Sequence, residues 1–351
     1  MIGIIMAGGK GTRLLPLTEN KPKPLVNLVG KPVIEYVKDA LVDVGADEII
    51  LTTGYKGEGL QKIVDLWNEK SKIKFSVNQE STPMGTAGSV KLLDEILVNT
   101  FIVASGDSVL SSDLEALLKA HRLSNAKVTM ALWEVDDPTQ FGIVGLSTSQ
   151  GGEIDSHLDE GYITKFFEKP TLDEAFSNVI NAGLYIIEPE VMEHIPKETK
   201  FDFSKELFPY LLKLGMPMYG VKLDGIWFDV GTPEELIKAQ NYLVKNSQIL
   251  PFGLPAGKFV EQDSYLIGNS ESSSSLVRTV LSSNSVSGTE SKIIDSIIME
   301  GAKIGNNCSL VGTIIGENTV IGDNCELINC VIGDNVHIAA DTKLSGQRLS
   351  R

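Results

Sequence analysis

The chain has 351 residues, 42% of them hydrophobic and 22% charged, with a formal net charge of −15. That length exceeds one typical core and predicts two domains, and the composition is that of a folded globular protein rather than a disordered or fibrous one. The acidic balance excludes a nucleic-acid binder or an anionic-membrane binder, and no apolar run approaches the ~20 residues that span a bilayer.

The first apolar run, Ile2–Met6, lacks a basic region before it and runs into glycines, so it reads as a strand rather than a signal peptide. Further strand-like runs are Glu48–Thr53, Lys74–Val77, Phe101–Ala104 and Val128–Val135. Amphipathic helical stretches lie between them at Val33–Val44, Glu58–Asn68, Ala87–Leu97 and Asp113–Arg122. This alternation predicts an α/β domain with a mostly parallel mixed sheet, helices on both faces and ligands at the carboxyl ends of the strands. A block from Tyr162 to Tyr219 mixes strands and turns. A last helix is expected over about Thr232–Lys245, because Thr-Pro-Glu-Glu makes a good N-cap and first turn.

The texture changes after Asn246. Pro251, Gly253, Pro255 and Gly257 mark a linker, taken as residues 246–262 between a domain of residues 1–245 and one of 263–351. The last domain has a 17-residue repeat. Leu276, Ile293, Leu310, Leu327 and Leu344 form one series, Leu281, Ile298, Ile315 and Ile332 a second, and Ile304, Ile321 and Ile338 a third. Three inward aliphatics per repeat describe a three-sided coil that stacks on itself. Small residues (Ala302, Cys308, Thr319, Cys325, Val336, Thr342) are expected at its corners. The pattern resembles the left-handed parallel β-helix of hexapeptide-repeat proteins, clearest over 276–344 and weak at 270–291, where Ser287 takes an aliphatic position. Three cysteines confined to the tail make no disulfide framework and fit a reducing cytoplasm; Cys308 and Cys325 read as core fillers.

Charge is unevenly spread. Lys10, Arg13, Lys21, Lys23 and Lys31 face only Glu19 within the first 31 residues, a basic patch suited to a small anion such as a phosphate. The patch surrounds Met6-Ala-Gly-Gly-Lys-Gly-Thr-Arg-Leu-Leu-Pro-Leu-Thr18 and Lys21-Pro-Lys-Pro-Leu25. Glycines let backbone N–H groups approach phosphate oxygens, and the prolines fix the backbone that aims the lysines. A Walker A loop is excluded because Thr12 follows Gly11 where lysine is required, and a dinucleotide fingerprint because Leu14 stands where a small residue is needed.

This string resembles the signature of the sugar-1-phosphate nucleotidyltransferases, G-G-x-G-T-R-L-x-P-x-T followed by K-P-K-P. The resemblance continues at Gln79-Glu-Ser-Thr-Pro-Met-Gly-Thr-Ala87, Ser105-Gly-Asp107, Phe141-Gly142, Glu168-Lys-Pro170, Asn181-Ala-Gly-Leu-Tyr185 and Trp227-Phe-Asp-Val-Gly231, covering about residues 1–245. It implies a GT-A-like nucleotide-binding fold and a reaction of a nucleoside triphosphate (NTP) with a sugar 1-phosphate. The products would be an NDP-sugar and pyrophosphate. Lys-Pro after the loop is closest to the mannose-1-phosphate guanylyltransferases; glucose-1-phosphate thymidylyl- or uridylyltransferase is the alternative.

The resemblance implies roles residue by residue. Ala7, Gly8, Gly9, Gly11 and Thr12 would carry the nucleotide, with Arg13 and Lys23 supplying positive charge to the triphosphate and the transition state. Gln79, Gly85 and Thr86 match the base-reading segment, and Gly142, Glu168, Lys169 and Asn181 the sugar-phosphate side. Asp107 and Asp229, each following an apolar run, would hold Mg²⁺ at strand ends. No general base is required, because a phosphate monoester is already ionised.

Three rivals are weaker. A glycosyltransferase normally carries Asp-x-Asp, whereas Asp107 is followed by Ser108 and Val109. An acyltransferase would need a longer coil and an interface histidine, and a regulatory paralogue would have lost the charged residues that are all present here. The tail is expected to serve homo-oligomer assembly, with neither a nucleic acid nor a membrane as partner.

Overall fold

The computed structural model describes residues 1–54 and 57–351. In chain order the first part contains β1 (Ile2–Met6), β2 (Asn27–Leu28), β3 (Lys31–Pro32), α1 (Val33–Asp43), β4 (Glu48–Thr53), α2 (Gly57–Lys70), β5 (Lys74–Gln79) and α3 (Gly85–Lys91). Then come β6 (Phe101–Ser105), β7 (Ser108–Ser111), α4 (Leu114–Ser124), β8 (Val128–Glu134), β9 (Gly142–Ser147), β10 (Glu160–Glu168) and β11 (Val179–Ile187). The part closes with α5 (Phe208–Lys213), β12 (Met218–Lys222), β13 (Ile226–Asp229) and α6 (Pro233–Lys245). Among the described residues no helix is long and apolar enough to cross a membrane.

These residues divide into two compact units. One comprises Met1–Gly8, Val37–Gly106 and Leu110–Trp227; the other comprises Gly9–Tyr36, Asp107–Val109 and Phe228–Arg351. The signature loop and both candidate metal-binding aspartates thus group with the β-helix.

The first unit is built on a nine-stranded mixed sheet of order β5-β4-β1-β6-β11-β8-β12-β10-β9. Pairings among β5, β4, β1 and β6 are parallel, as the β–α alternation predicts. From β11 onward the strands run antiparallel, apart from the β12–β8 pair. The parallel share is therefore smaller than the alternation alone suggests, because no α-helix intervenes between β8, β9, β10 and β11 to carry a crossover. The core joins Ile4, Phe101, Val103, Val128, Met130, Tyr185, Phe203 and Phe208, all nearly inaccessible. Helix α4 starts where Asp113 accepts a hydrogen bond from the Ala116 N–H and stops at Asn125 in the left-handed region. Helix α3 ends at Lys91, short of the expected Leu97. Beyond it the hydrogen bonds tighten to i→i−3 (Leu93 to Val90, Asp94 to Lys91), which keeps the apolar face without the α-helical ladder.

In the second unit α6 begins at a full capping box, Thr232 with Glu235, and Pro233 occupies the first turn. After an antiparallel hairpin, β14 (Gly257–Val260) with β15 (Ser264–Ile267), the chain winds as a parallel β-helix with three strand ladders. The 17-residue register is direct: Leu276 pairs with Ile293, then Leu310, Leu327 and Leu344. Leu281, Ile298, Ile315 and Ile332 form the second ladder, and Ile304, Ile321 and Ile338 the third. The coil begins earlier than the repeat suggests, at Ser264, because its first turn is two residues shorter: Leu266 pairs with Leu281 and Ser272 with Ser287. Ser287 is tolerated inside because its hydroxyl lies 2.7 Å from that of Ser272. Cys308, Cys325 and Cys330 are buried, unpaired thiols in this interior.

Candidate active site

The glycine loop after β1 folds back on itself. Gly11 sits at φ +65° and caps a short turn over Thr12–Leu14, and its carbonyl accepts hydrogen bonds from Leu14 N–H and Thr18 Oγ1. A Cβ at Gly11 would lie 2.7 Å from the Lys23 Cβ and 2.9 Å from the Thr18 Cγ2. Glycine is thus required twice here, for the left-handed backbone and for the close approach of the Lys23 stem. Gly9 differs: a Cβ there would meet nothing within 4 Å.

Pro22 is extended, and a short turn over Lys23–Leu25 follows it. That geometry buries Lys23, whose side chain is 6% exposed, with its Nζ 2.8 Å from Asp107 Oδ2 and 3.0 Å from Asp229 Oδ1. Burial disfavours the ammonium, yet the attraction of Asp107 and Asp229 and their hydrogen bonds outweigh it, and the Lys23 pKa lies above the ordinary lysine value. Arg13 reaches the other face of Asp229, with Nη2 3.7 Å from Oδ2, and remains largely open to solvent. A Cβ at Gly231 would fall 2.9 Å from the Arg13 Cζ, so this glycine leaves room for the guanidinium. Asp229 is the last residue of β13, while Asp107 lies in the turn between β6 and β7.

Arg13, Lys23, Asp107 and Asp229 are therefore brought into one cluster from three chain segments. Two carboxylates converging on a single cation form the donor set that a hard divalent ion takes. Among the described residues no third His, Cys, Asp or Glu joins them in a group that could hold a metal ion.

The remaining candidate residues lie in the first unit, apart from Gly9, Gly11 and Thr12. Ala7 is buried, and its N–H donates to the Thr52 carbonyl. Gln79 is exposed at the end of β5. Gly85 stands at φ +74°, and a Cβ there would lie 2.7 Å from the Phe201 carbonyl oxygen. The Thr86 hydroxyl is engaged within the fold: it accepts from the Phe203 N–H and donates to Asp202. Glu168, at the end of β10, packs over Gly142, where a Cβ would come 2.7 Å from its Oε2. Lys169 follows in the left-handed region, its N–H donating to the Phe141 carbonyl. Asn181 Nδ2 donates to Tyr185 Oη at 2.9 Å and to Ser204 Oγ at 3.2 Å.

Burial pushes the Glu168 carboxyl above its ordinary value; Lys169 and Lys205 pull it down and Asp202 pushes it up. Asp202, Ser204 and Lys205 were not singled out from the sequence, since they lie outside every motif, and Tyr185 was only the last letter of one. Lys21 has a role of its own: Nζ lies 2.6 Å from Glu317 Oε1 and 3.0 Å from Asp334 Oδ2 in the β-helix. Lys31 lies over the Tyr36 ring, and Lys10 is exposed.

Residues 2–246 match the family model described as nucleotidyl transferase. The chain belongs to that family. As a nucleotidyltransferase it has its family match over both the glycine loop and the aspartate cluster, and residues 271–349 match the model described as the GMPPB C-terminal domain. Mannose-1-phosphate guanyltransferase beta-A of Xenopus laevis is 33% identical over 261 residues, which is 73% of this chain and 69% of that protein. Mannose-1-phosphate guanylyltransferase 1 of Arabidopsis thaliana is 33% identical over 241 residues, 68% of this chain and 63% of that protein. The catalytic subunit beta of the same activity from Drosophila pseudoobscura pseudoobscura is 34% identical over 238 residues, 67% of this chain and 60% of that protein.

Proposed function

We propose that this nucleotidyltransferase joins mannose 1-phosphate to GTP, releasing pyrophosphate and GDP-mannose. The observation that carries the reading is the Lys23–Asp107–Asp229 cluster with Arg13 beside it: fixed positive charge and paired carboxylates next to a glycine loop. The names of the relatives favour guanine and mannose over thymine or uracil and glucose.

Little covalent work is required of the side chains. The sugar phosphate oxygen attacks the α-phosphorus in line, and the protein contributes position and charge. Arg13, exposed and forked, meets phosphate oxygens; Lys23, held charged, faces the developing negative charge. Gly8, Gly9 and Thr12 present backbone N–H groups to the phosphates; the open space at Gly9 supports this, because no neighbouring protein atom accounts for a glycine there. Asp107 and Asp229 would hold Mg²⁺, which supplies charge neutralisation on the phosphate oxygens. Gln79 offers a donor and an acceptor to the base edge, and Gly85 lets the backbone lie against the ring. Glu168 accepts hydrogen bonds from sugar hydroxyls over the space Gly142 leaves, Lys169 meets the sugar phosphate, and Asn181 is oriented by Tyr185 and Ser204. A reducing cytoplasm suits the three buried thiols. Self-association uses the outward aliphatic row Val277, Ile294, Val311 and Ile328 of the coil, and sedimentation at several concentrations tests it.

Pyrophosphate release measured with Mg²⁺ over a grid of NTPs and sugar 1-phosphates should give its strongest signal with GTP and mannose 1-phosphate. A strong signal in another cell would replace the substrates, and release in no cell from folded protein would remove the reaction.

The raised Glu168 pKa gives a second test. The ionised carboxyl accepts from sugar hydroxyls more strongly than the protonated one, which turns one oxygen into a donor, so KM for the sugar phosphate should climb on acidification, beginning above the ordinary glutamate value of 4.5. Asp202→Asn removes the charge that pushes Glu168 up and should move the onset to lower pH. An unmoved profile would dismiss the role of Glu168. For stability the sign is opposite to that of an ion-paired carboxylate: the native state holds this proton more tightly, so stability falls as pH rises from 4.5 through the folded value.

A further inference from the structure

Within the second unit a set of polar contacts lies beside the reacting cluster and is not used by it. Lys21 is held between Glu317 and Asp334, and Asn27 Nδ2 donates to the same Glu317 Oε1 at 3.0 Å. The Glu317 N–H in turn donates to Asp334 Oδ1 at 2.9 Å, and Arg348 Nη1 donates to the Arg13 carbonyl at 2.7 Å. Glu317 and Asp334 stand 17 residues apart, at one position on successive coils of the β-helix. The contact is close-packed as well as polar. A Cβ at Gly333 would lie 3.2 Å from Pro16, and one at Gly30 would lie 2.6 Å from Ile267. On the same ladder the outward aliphatics Val280, Ile297, Ile314 and Val331 are buried, at 1%, 2%, 0% and 4% exposure, although they point away from the coil interior. Gln240 and Asn241 of α6 also reach this side, bonding to the Ser296 carbonyl and to Asp295.

The two lysines of Lys21-Pro22-Lys23-Pro24 have divided tasks. Pro22 is extended and a short turn over Lys23–Leu25 follows at once, so the two lysine side chains are not held on one face of a continuous strand and reach different partners. Lys21 enters a carboxylate pair on the coil, Lys23 enters the Asp107–Asp229 pair, and the proline ring between them removes slack. We propose that Glu317, Asp334 and Arg348 are positioning residues for Lys23 and Arg13, so that the β-helix is the platform on which the signature loop is set for nucleotidyl transfer. The proposal rests on the reading above that Arg13 and Lys23 act on the phosphates.

The test uses the full chain carrying Glu317→Gln with Asp334→Asn, which keeps shape while removing the charge around Lys21. Small misplacements of catalytic groups are costly, so kcat should fall about tenfold or more while KM for the sugar phosphate stays within about twofold. Lys21→Met should behave alike and Lys21→Arg should retain most activity. Trypsin, with cut sites mapped by mass spectrometry, should cut after Lys10 and Arg13 faster in the double variant while distant sites keep their rate. Wild-type kcat with unchanged cleavage would overturn the proposal, as would faster cleavage at all sites alike, which marks a general loss of stability. Should the double variant not fold, Arg348→Met carries the same pair of readouts. If wild-type protein releases no pyrophosphate from any substrate pair, faster cleavage confined to the loop still supports the anchoring and only the reaction reading fails.

Discussion

Asp229→Ala is expected to lower kcat by roughly a thousandfold while leaving a folded protein. Asp229 is the final residue of β13, and its two oxygens face two different cations: Oδ1 bonds to Lys23 and Oδ2 faces Arg13. Its removal therefore does three things at once. It deletes one of the two carboxylates of the proposed metal seat, frees Lys23 to settle on Asp107 alone, and releases the guanidinium from its ion pair with Asp229. None of these exposes core, because Ile226, Trp227 and Val230 around it stay buried, and Lys23 keeps an acceptor. Steady-state pyrophosphate release at saturating Mg²⁺, together with circular dichroism, checks both halves. Turnover near wild type from a folded variant would remove Asp229 from the machinery.

How much of this was legible from the sequence depends on range. The strands β1 and β4 begin and end where the apolar runs do, because each is a continuous buried stretch with no competing period. The β-helix was legible for a different reason: the 17-residue repeat is itself the strand register, so reading the repeat amounts to reading the pairing. Its first coil, inside the expected domain, gave only a weak repeat because it is two residues shorter and rich in serine, whose hydroxyls satisfy one another instead of supplying an aliphatic signal. The cluster of Arg13, Lys23, Asp107 and Asp229 was nameable because each sits in a local string. Asp202, Ser204 and Lys205 belong to no string; they reach Thr86, Asn181 and Glu168 only through tertiary folding. The same limit hid the task of Lys21, which in the sequence is only a basic residue in a repeated Lys-Pro step beside Lys23. Only the structure gives it to Glu317, almost 300 residues away.

Lys23→Met should separate the charge of that lysine from its bulk. Methionine fills most of the channel under Gly11, so the loop keeps its packing, but Asp107 and Asp229 are left facing each other without the ammonium between them. Losing one member of a wholly buried pair costs about 3–5 kcal/mol and of a surface pair less than about 1 kcal/mol. Here the lysine is buried while both carboxylates stay partly open to solvent, so a loss on the order of 2 kcal/mol is expected, together with a fall in kcat of about a hundredfold from the missing charge. The pH dependence has a definite sign. The folded-state pKa of Lys23 is raised, so its contribution is fully present below the ordinary lysine value of 10.5 and is lost only as pH rises through the higher folded value. The gap in unfolding free energy between wild type and variant should therefore be constant from neutrality to about pH 10 and narrow only beyond it. Urea titrations across that range give the gap directly. A gap that closes already between pH 7 and 9 would mean that Lys23 is not held charged by the two aspartates, and the electrostatic account of the cluster would have to be given up.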